Sequence, residues 1–197
     1  MSGMELSGEI TAGRPLLVLA VKEEAQYLDT DLPILLTGMG KVNAATALST
    51  VLARGPRPSE VVNLGTAGAL RPGMTGTHVV GTVIQHDLDG ALLATLTGET
   101  YGEPLSLPAG GDVVLATGDA FISDEAARER LAARAALVDM EGYALATAAC
   151  LAGVPVRLVK HVSDEAGEGA ARSWRESVAE CARALADWAA ANTAYRA

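Results

Sequence analysis

The chain has 197 residues, 49% hydrophobic and 20% charged, enough apolar material at ordinary globular composition for one compact core. Its 24 acidic and 15 basic residues give a formal charge of −9, which leaves no electrostatic footprint for nucleic acid or an anionic membrane. Two cysteines, Cys150 and Cys181, exclude a disulfide scaffold, and no apolar run is long enough to span a bilayer. Met1–Thr11 lacks a basic head followed by an apolar stretch, so no secretory signal is expected and the expected location is the cytoplasm.

Short apolar runs alternate with helical stretches. Leu16–Val21 and Ile34–Thr37 read as strands, Val42–Ala53 as a helix, then Val61–Gly65 and Thr77–Gln85 as strands. The polar stretch Asp87–Gly111 reads as hairpin or loop. Val113–Thr117 is the next expected strand, followed by a helix over Ser123–Arg134, with Ser123 as cap and Asp124 and Glu125 as an acidic first turn. Glu141–Leu151 reads as a helix and Val154–Val162 as a strand. Ser173–Thr193 closes the chain as a helix whose Trp174, Val178, Cys181, Leu185 and Trp188 form one buried stripe. Strands that are apolar at successive positions are covered on both faces. The pattern predicts an α/β fold: one domain over residues 1–197 with a mixed, mostly parallel sheet flanked by helices, and residues 1–14 as an N-terminal extension.

Two glycine-rich segments follow strands, Gly38-Met39-Gly40-Lys41 and Gly65-Thr66-Ala67-Gly68. Such turns let backbone amides approach a ligand, although on spacing alone simple strand-to-helix turns are the commoner outcome. The first fails the phosphate-loop pattern because Val42 stands where Ser or Thr would hold magnesium, and Asn43 breaks the dinucleotide fingerprint. Acids form the second signal. Glu23 and Glu24 end the first strand, Glu141 follows Val138-Asp139-Met140, and Asp164 ends the late strand. In α/β sheets ligands bind beyond the carboxyl ends of strands, where several acids can converge. For any one of them, service to a helix N-terminus is the ordinary role. Phe121, the one phenylalanine, is either a core plug or a stacking face for a planar ligand. His78, His86 and His161 lack metal-ligand spacing, and no Gly-x-Ser-x-Gly elbow is present.

Taken together, six segments resemble the nucleoside phosphorylase and nucleosidase family, most closely its branch of 5′-methylthioadenosine/S-adenosylhomocysteine nucleosidases. They are Ala20–Glu24, Thr37–Ala45, Asn63–Gly68, Gly118–Ile122, Val138–Gly142 and Val159–Asp164, in family order. The resemblance implies hydrolysis of the N-glycosidic bond of adenine nucleosides carrying a 5′ thioether. By it, Asp164 protonates the purine N7, Ser163 orients Asp164, and Glu24 polarises the attacking water. Glu141 grips the ribose hydroxyls beside Met140, Phe121 stacks on the base, the Ile122 backbone reads its edge, and Thr66 and Gly68 line the sugar and water side. It also implies a homodimer and a small-molecule substrate, with no cofactor, metal, nucleic acid or membrane partner.

Phosphorylase relatives carry an arginine where Asn63 stands, and Lys22-Glu23-Glu24 replaces their early phosphate loop, which favours water over phosphate as nucleophile. Thr66 replaces a serine and Lys160 an arginine common in the family. The segments before Thr37 and between Thr95 and Asp112 are compressed; the second lies where relatives hold the 5′ group. A futalosine hydrolase, a phosphorylase and a catalytically silent nucleoside-binding protein are the alternatives.

Overall fold

The computed structural model describes residues 4–193. In chain order the elements are β1 (Glu5–Ser7), β2 (Leu16–Leu19), α1 (Lys22–Ala25), β3 (Ile34–Leu36), α2 (Lys41–Arg54), β4 (Val61–Ala69) and β5 (Thr77–Gln85). There follow α3 (Gly90–Thr97), β6 (Leu105–Ser106), β7 (Val113–Thr117), α4 (Glu125–Ala132), β8 (Leu137–Asp139), α5 (Gly142–Ala152), β9 (Val156–Asp164) and α6 (Ala170–Asn192).

Hydrogen bonding joins β4 to β8, β8 to β7, β7 to β5, β5 to β9 and β9 back to β4, so these strands close on themselves. From β4 the sheet extends outward through β2 and β3 to β1, and β6 lies outside β5. Parallel and antiparallel pairings are mixed: β2 with β3, β2 with β4, β4 with β9, β5 with β7 and β7 with β8 are parallel. Successive strand residues face opposite sides, and here both sides are covered. Leu16 and Val18 of β2 join Leu48 of α2 and Leu145 of α5 in one core cluster. Leu17 and Leu19 join Leu64, Val159 and, from α6, Leu185 in another.

Several elements differ from expectation for local reasons. β4 continues through Gly65 to Ala69, because Gly65 pairs with Lys160 and Gly68 with Val138; the second glycine segment is strand, not turn. β8 has only three residues and sits at the end of a helical pattern, too short to show a period. Asp87–Gly111 contains α3, capped by the Asp89 side chain on Leu92 N–H at 2.9 Å, and the short strand β6. The cap of α4 is Asp124, which accepts from the amides of Ala126 and Ala127, so Ser123 lies outside. Within the stretch expected as an extension, Glu5–Ser7 pairs antiparallel with β3.

Leu158 of β9 is fully buried in the cluster beneath α2 and α5. Leu158→Ala is expected to cost about 2–5 kcal/mol through lost burial and a residual cavity. The check is a lower midpoint at unchanged slope in urea unfolding.

Candidate active site

A cavity of about 230 Å³ opens at the carboxyl ends of β4 and β9. Glu24, Thr66, Gly68, Phe121, Ile122, Met140, Glu141, Ser163 and Asp164 all line it. The three acids, far apart in sequence, thus face one hollow.

Glu24 sits in α1, a single turn after β2 that sends Glu23 to solvent and buries Glu24 at 4% exposure. One carboxylate oxygen, Oε1, accepts from the Thr66 backbone N–H at 2.8 Å and from the Thr66 hydroxyl at 2.9 Å. The other, Oε2, accepts from Ala20 N–H at 3.3 Å. Asp164 ends β9 and is equally anchored. Its Oδ2 accepts from the Ser163 hydroxyl at 2.8 Å, and its Oδ1 from Ala166 N–H at 2.8 Å. Ala166 holds φ at +49°, the one positive value outside glycine among the described residues. That rarely populated conformation is held by burial, since Ala166 is 1% exposed. A side chain at Gly68 would place its Cβ 2.9 Å from Ala166 Cβ and 3.1 Å from Asp164 Oδ1. Glycine there admits the acid against the sheet.

Glu141 is the N-cap residue of α5, yet its side chain makes no bond to that helix; its Oε1 accepts from Gly40 N–H at 2.8 Å. The Gly38–Lys41 turn therefore holds a site carboxyl as well as opening α2. Beside Glu141 lies a buried ionic cluster. Lys160, 1% exposed, reaches Asp139 Oδ2 at 2.9 Å, and Asp139 also accepts from Gly142 N–H and the Thr117 hydroxyl. The Lys160 ammonium lies under β4, where a Cβ on Gly65 would approach it to 2.9 Å and Glu24 Oε1 to 3.6 Å. Burial opposes the Lys160 charge, but Asp139, Glu141 and Glu24 outweigh it and raise its pKa. Burial, then the charge of Asp139, pushes the Glu141 carboxyl up to about 8 against the pull of Lys160. Burial thus favours the protonated form of Glu141, which can donate a hydrogen bond as well as accept one.

Phe121 is 46% exposed and stands at the cavity rather than in a core, which removes the core-plug alternative. Its loop is tied to the start of α2: Lys41 N–H donates to Asp119 at 2.8 Å, while Asp87 accepts from Lys41 Nζ at 2.5 Å and from Asp119 N–H at 2.9 Å. Among the described residues no group of three or more His, Cys, Asp or Glu side chains is placed to hold a metal ion. Sequence reasoning missed Asp139 as a partner of Lys160, and Trp174 and Arg175 as cavity residues. Trp174 shows the same helical spacing as the core stripe, so periodicity alone does not reveal it. Its place in the first turns of α6, beyond the end of β9, is the signal that could have.

The raised Glu141 carboxyl links stability to pH. A folded-state pKa near 8 against an ordinary value of 4.5 gives stability that is fully present below about 4.5 and is lost as pH rises through about 8. Melting temperature should therefore fall between about pH 5 and 8. In Glu141→Gln, which keeps the acceptor for Gly40 N–H, this slope should flatten; a pH series of thermal melts on both proteins checks it.

The family model of the Phosphorylase superfamily matches residues 26–194. A 5′-methylthioadenosine/S-adenosylhomocysteine nucleosidase of Exiguobacterium is 31% identical over 167 residues, 73% of this chain and 71% of that protein. Among solved structures, the 5′-methylthioadenosine/S-adenosyl homocysteine nucleosidase of Helicobacter pylori superposes with a TM-score of 0.78 at 21% identity, covering 91% of this chain and 97% of that one. The futalosine hydrolase of the same organism gives 0.76, also at 21% identity, covering 89% of this chain and 95% of that one; at such identity both likenesses concern the fold. The chain belongs to the Phosphorylase superfamily, in its branch of 5′-methylthioadenosine/S-adenosylhomocysteine nucleosidases.

Proposed function

We propose that the protein hydrolyses the N-glycosidic bond of 5′-thioether adenine nucleosides, methylthioadenosine and S-adenosylhomocysteine, releasing adenine and a thioribose. The observation that carries this reading is the convergence of Glu24, Glu141 and Asp164 on one cavity. Breaking the bond from C1′ to N9 builds positive charge on the sugar and leaves an electron pair on a purine that departs poorly as an anion. A proton delivered to N7 and a negative group beside the sugar lower that barrier. The logic parallels glycosidases, with nitrogen as the leaving atom.

In this mechanism Asp164, protonated from solvent, gives its proton to N7, with the Ser163 hydroxyl fixing the orientation of its carboxyl. The glycosidic electron pair passes to the purine. A water oxygen bonds to C1′ as Glu24 takes its proton. Glu141 grips the ribose hydroxyls through hydrogen bonds, with Met140 alongside. Phe121 stacks on the base, the Ile122 backbone reads its edge, and Thr66 and Gly68 bound the sugar and water side. Asn63 supports water over phosphate: it is neutral and buried, with its amide bonded to Val18 O, and Lys160 is committed to Asp139. Among the described residues the one cation that lines the cavity is Arg175, whose side chain is exposed.

A homodimer is part of the same proposal. Met39 and Phe121 at the cavity, with Val42, Leu92 and Leu96, leave apolar side chains uncovered at 46%, 46%, 75%, 53% and 70% exposure. A second copy covering Met39 and Phe121 would add a wall to the cavity. A cytoplasmic location is also part of the proposal; no helix among the described residues is long and apolar enough to cross a membrane.

Incubation with each nucleoside in phosphate-free buffer is expected to release free adenine. No adenine from either would reject the substrate assignment, turnover only with phosphate would make the protein a phosphorylase, and turnover of futalosine alone would select the hydrolase of that nucleoside. Asp164→Asn should lower kcat by about 10²- to 10⁴-fold with an unchanged melting temperature, the ordinary worth of a general acid.

A further inference from the structure

We infer that Trp174 is a positioning residue that fixes the proton of the Thr66 hydroxyl on Glu24; the inference rests on the function proposed above. The Trp174 indole N–H donates to Thr66 Oγ1 at 2.9 Å, and that hydroxyl lies 2.9 Å from Glu24 Oε1. An indole nitrogen donates and never accepts. With its oxygen occupied by the indole, the hydroxyl has no reason to turn its single proton toward Trp174. The chain of bonds therefore runs one way, from indole to hydroxyl to carboxylate.

This direction differentiates the two oxygens of Glu24. Oε1 receives both the hydroxyl and the backbone N–H of Thr66, at 2.9 and 2.8 Å. Oε2 receives only the longer bond from Ala20 N–H at 3.3 Å and keeps the freer lone pairs. Oε2 is thus the oxygen that accepts the proton of the attacking water. Without the indole, the Thr66 hydroxyl is free to rotate and donate to that water, which turns the water's lone pair away from C1′.

The same stretch of α6 also reaches the acid side. The Ser177 hydroxyl, one turn beyond Trp174, donates to Ser163 O at 3.0 Å. Trp174 is half-buried and lines the cavity, so its ring occupies a slot that phenylalanine can fill.

Trp174→Phe keeps the ring and removes the donor. Expected is a fall in kcat of about 3- to 10-fold, the worth of one neutral hydrogen bond, with KM for methylthioadenosine within about twofold of wild type. In a Thr66→Ala background, Trp174→Phe should cause no further loss, because the relay is already broken. Trp188→Phe, on the far part of α6, should leave kcat unchanged. An unaltered kcat in Trp174→Phe, or losses that multiply independently in the double variant, would overturn the inference and leave the hydrolase reading intact. If wild type releases no adenine, that reading fails instead. The bond itself is then decided by the indole N–H resonance missing in Trp174→Phe: a shift on Thr66→Ala supports it, and an unmoved resonance overturns it.

Discussion

One buried ammonium allows the base of this cavity to exist. Lys160 is almost fully removed from water, and Asp139, Glu141 and Glu24 all act on its charge. Removing water from an isolated carboxylate is far costlier than any single hydrogen bond returns, so crowded acids need a counter-charge or a proton. One lysine supplies the first to Asp139 through a 2.9 Å contact. Glu141 tends toward the second solution, its carboxyl pushed up to about 8 chiefly by burial. Gly65 is where the sheet makes room for this arrangement, since any side chain there would meet the ammonium.

The strands around the site convert that local chemistry into a rigid frame. β4 and β9 run parallel for most of their length, which carries Thr66 to the cavity beside Glu24 and sets Asp164 next to Gly68 at the end of the neighbouring strand. The irregularity between Ala67 and Gly68 lies where the two strands reach the cavity. Register is conserved along the rest of the pair because both faces are buried and a one-residue slip would invert every side chain. The acids consequently sit on continuous strand ends and first helical turns rather than on long loops.

Much of this was legible from residue order, and the failures share a cause. Thr77–Gln85 and Val113–Thr117 coincide with β5 and β7, because long β-branched runs bounded by polar residues have few other fates. Val61–Gly65 was cut short, since glycines inside a strand look like a turn until the atoms that need the space are known. Glu24, Glu141 and Asp164 could be picked out by their positions after strands and by family likeness. The contact between Lys160 and Asp139 could not: it depends on the path from β9 through β4 to β8, and apolar periodicity says nothing about which strands are neighbours. Trp174 was hidden for a related reason. A helical stripe records what is sheltered from water, and the wall of a cavity is sheltered in nearly the same way as a core.

Among the described residues, closure of the central strands leaves β1 and β6 as the outermost strands of the sheet, three and two residues long. Unpaired amides and carbonyls on a long flat margin recruit strands from other molecules, the first step toward fibrils. Margins this brief offer too few bonds to hold a foreign segment in place. An apolar-rich interior of this kind can therefore accumulate at high concentration with its most adhesive backbone already consumed internally.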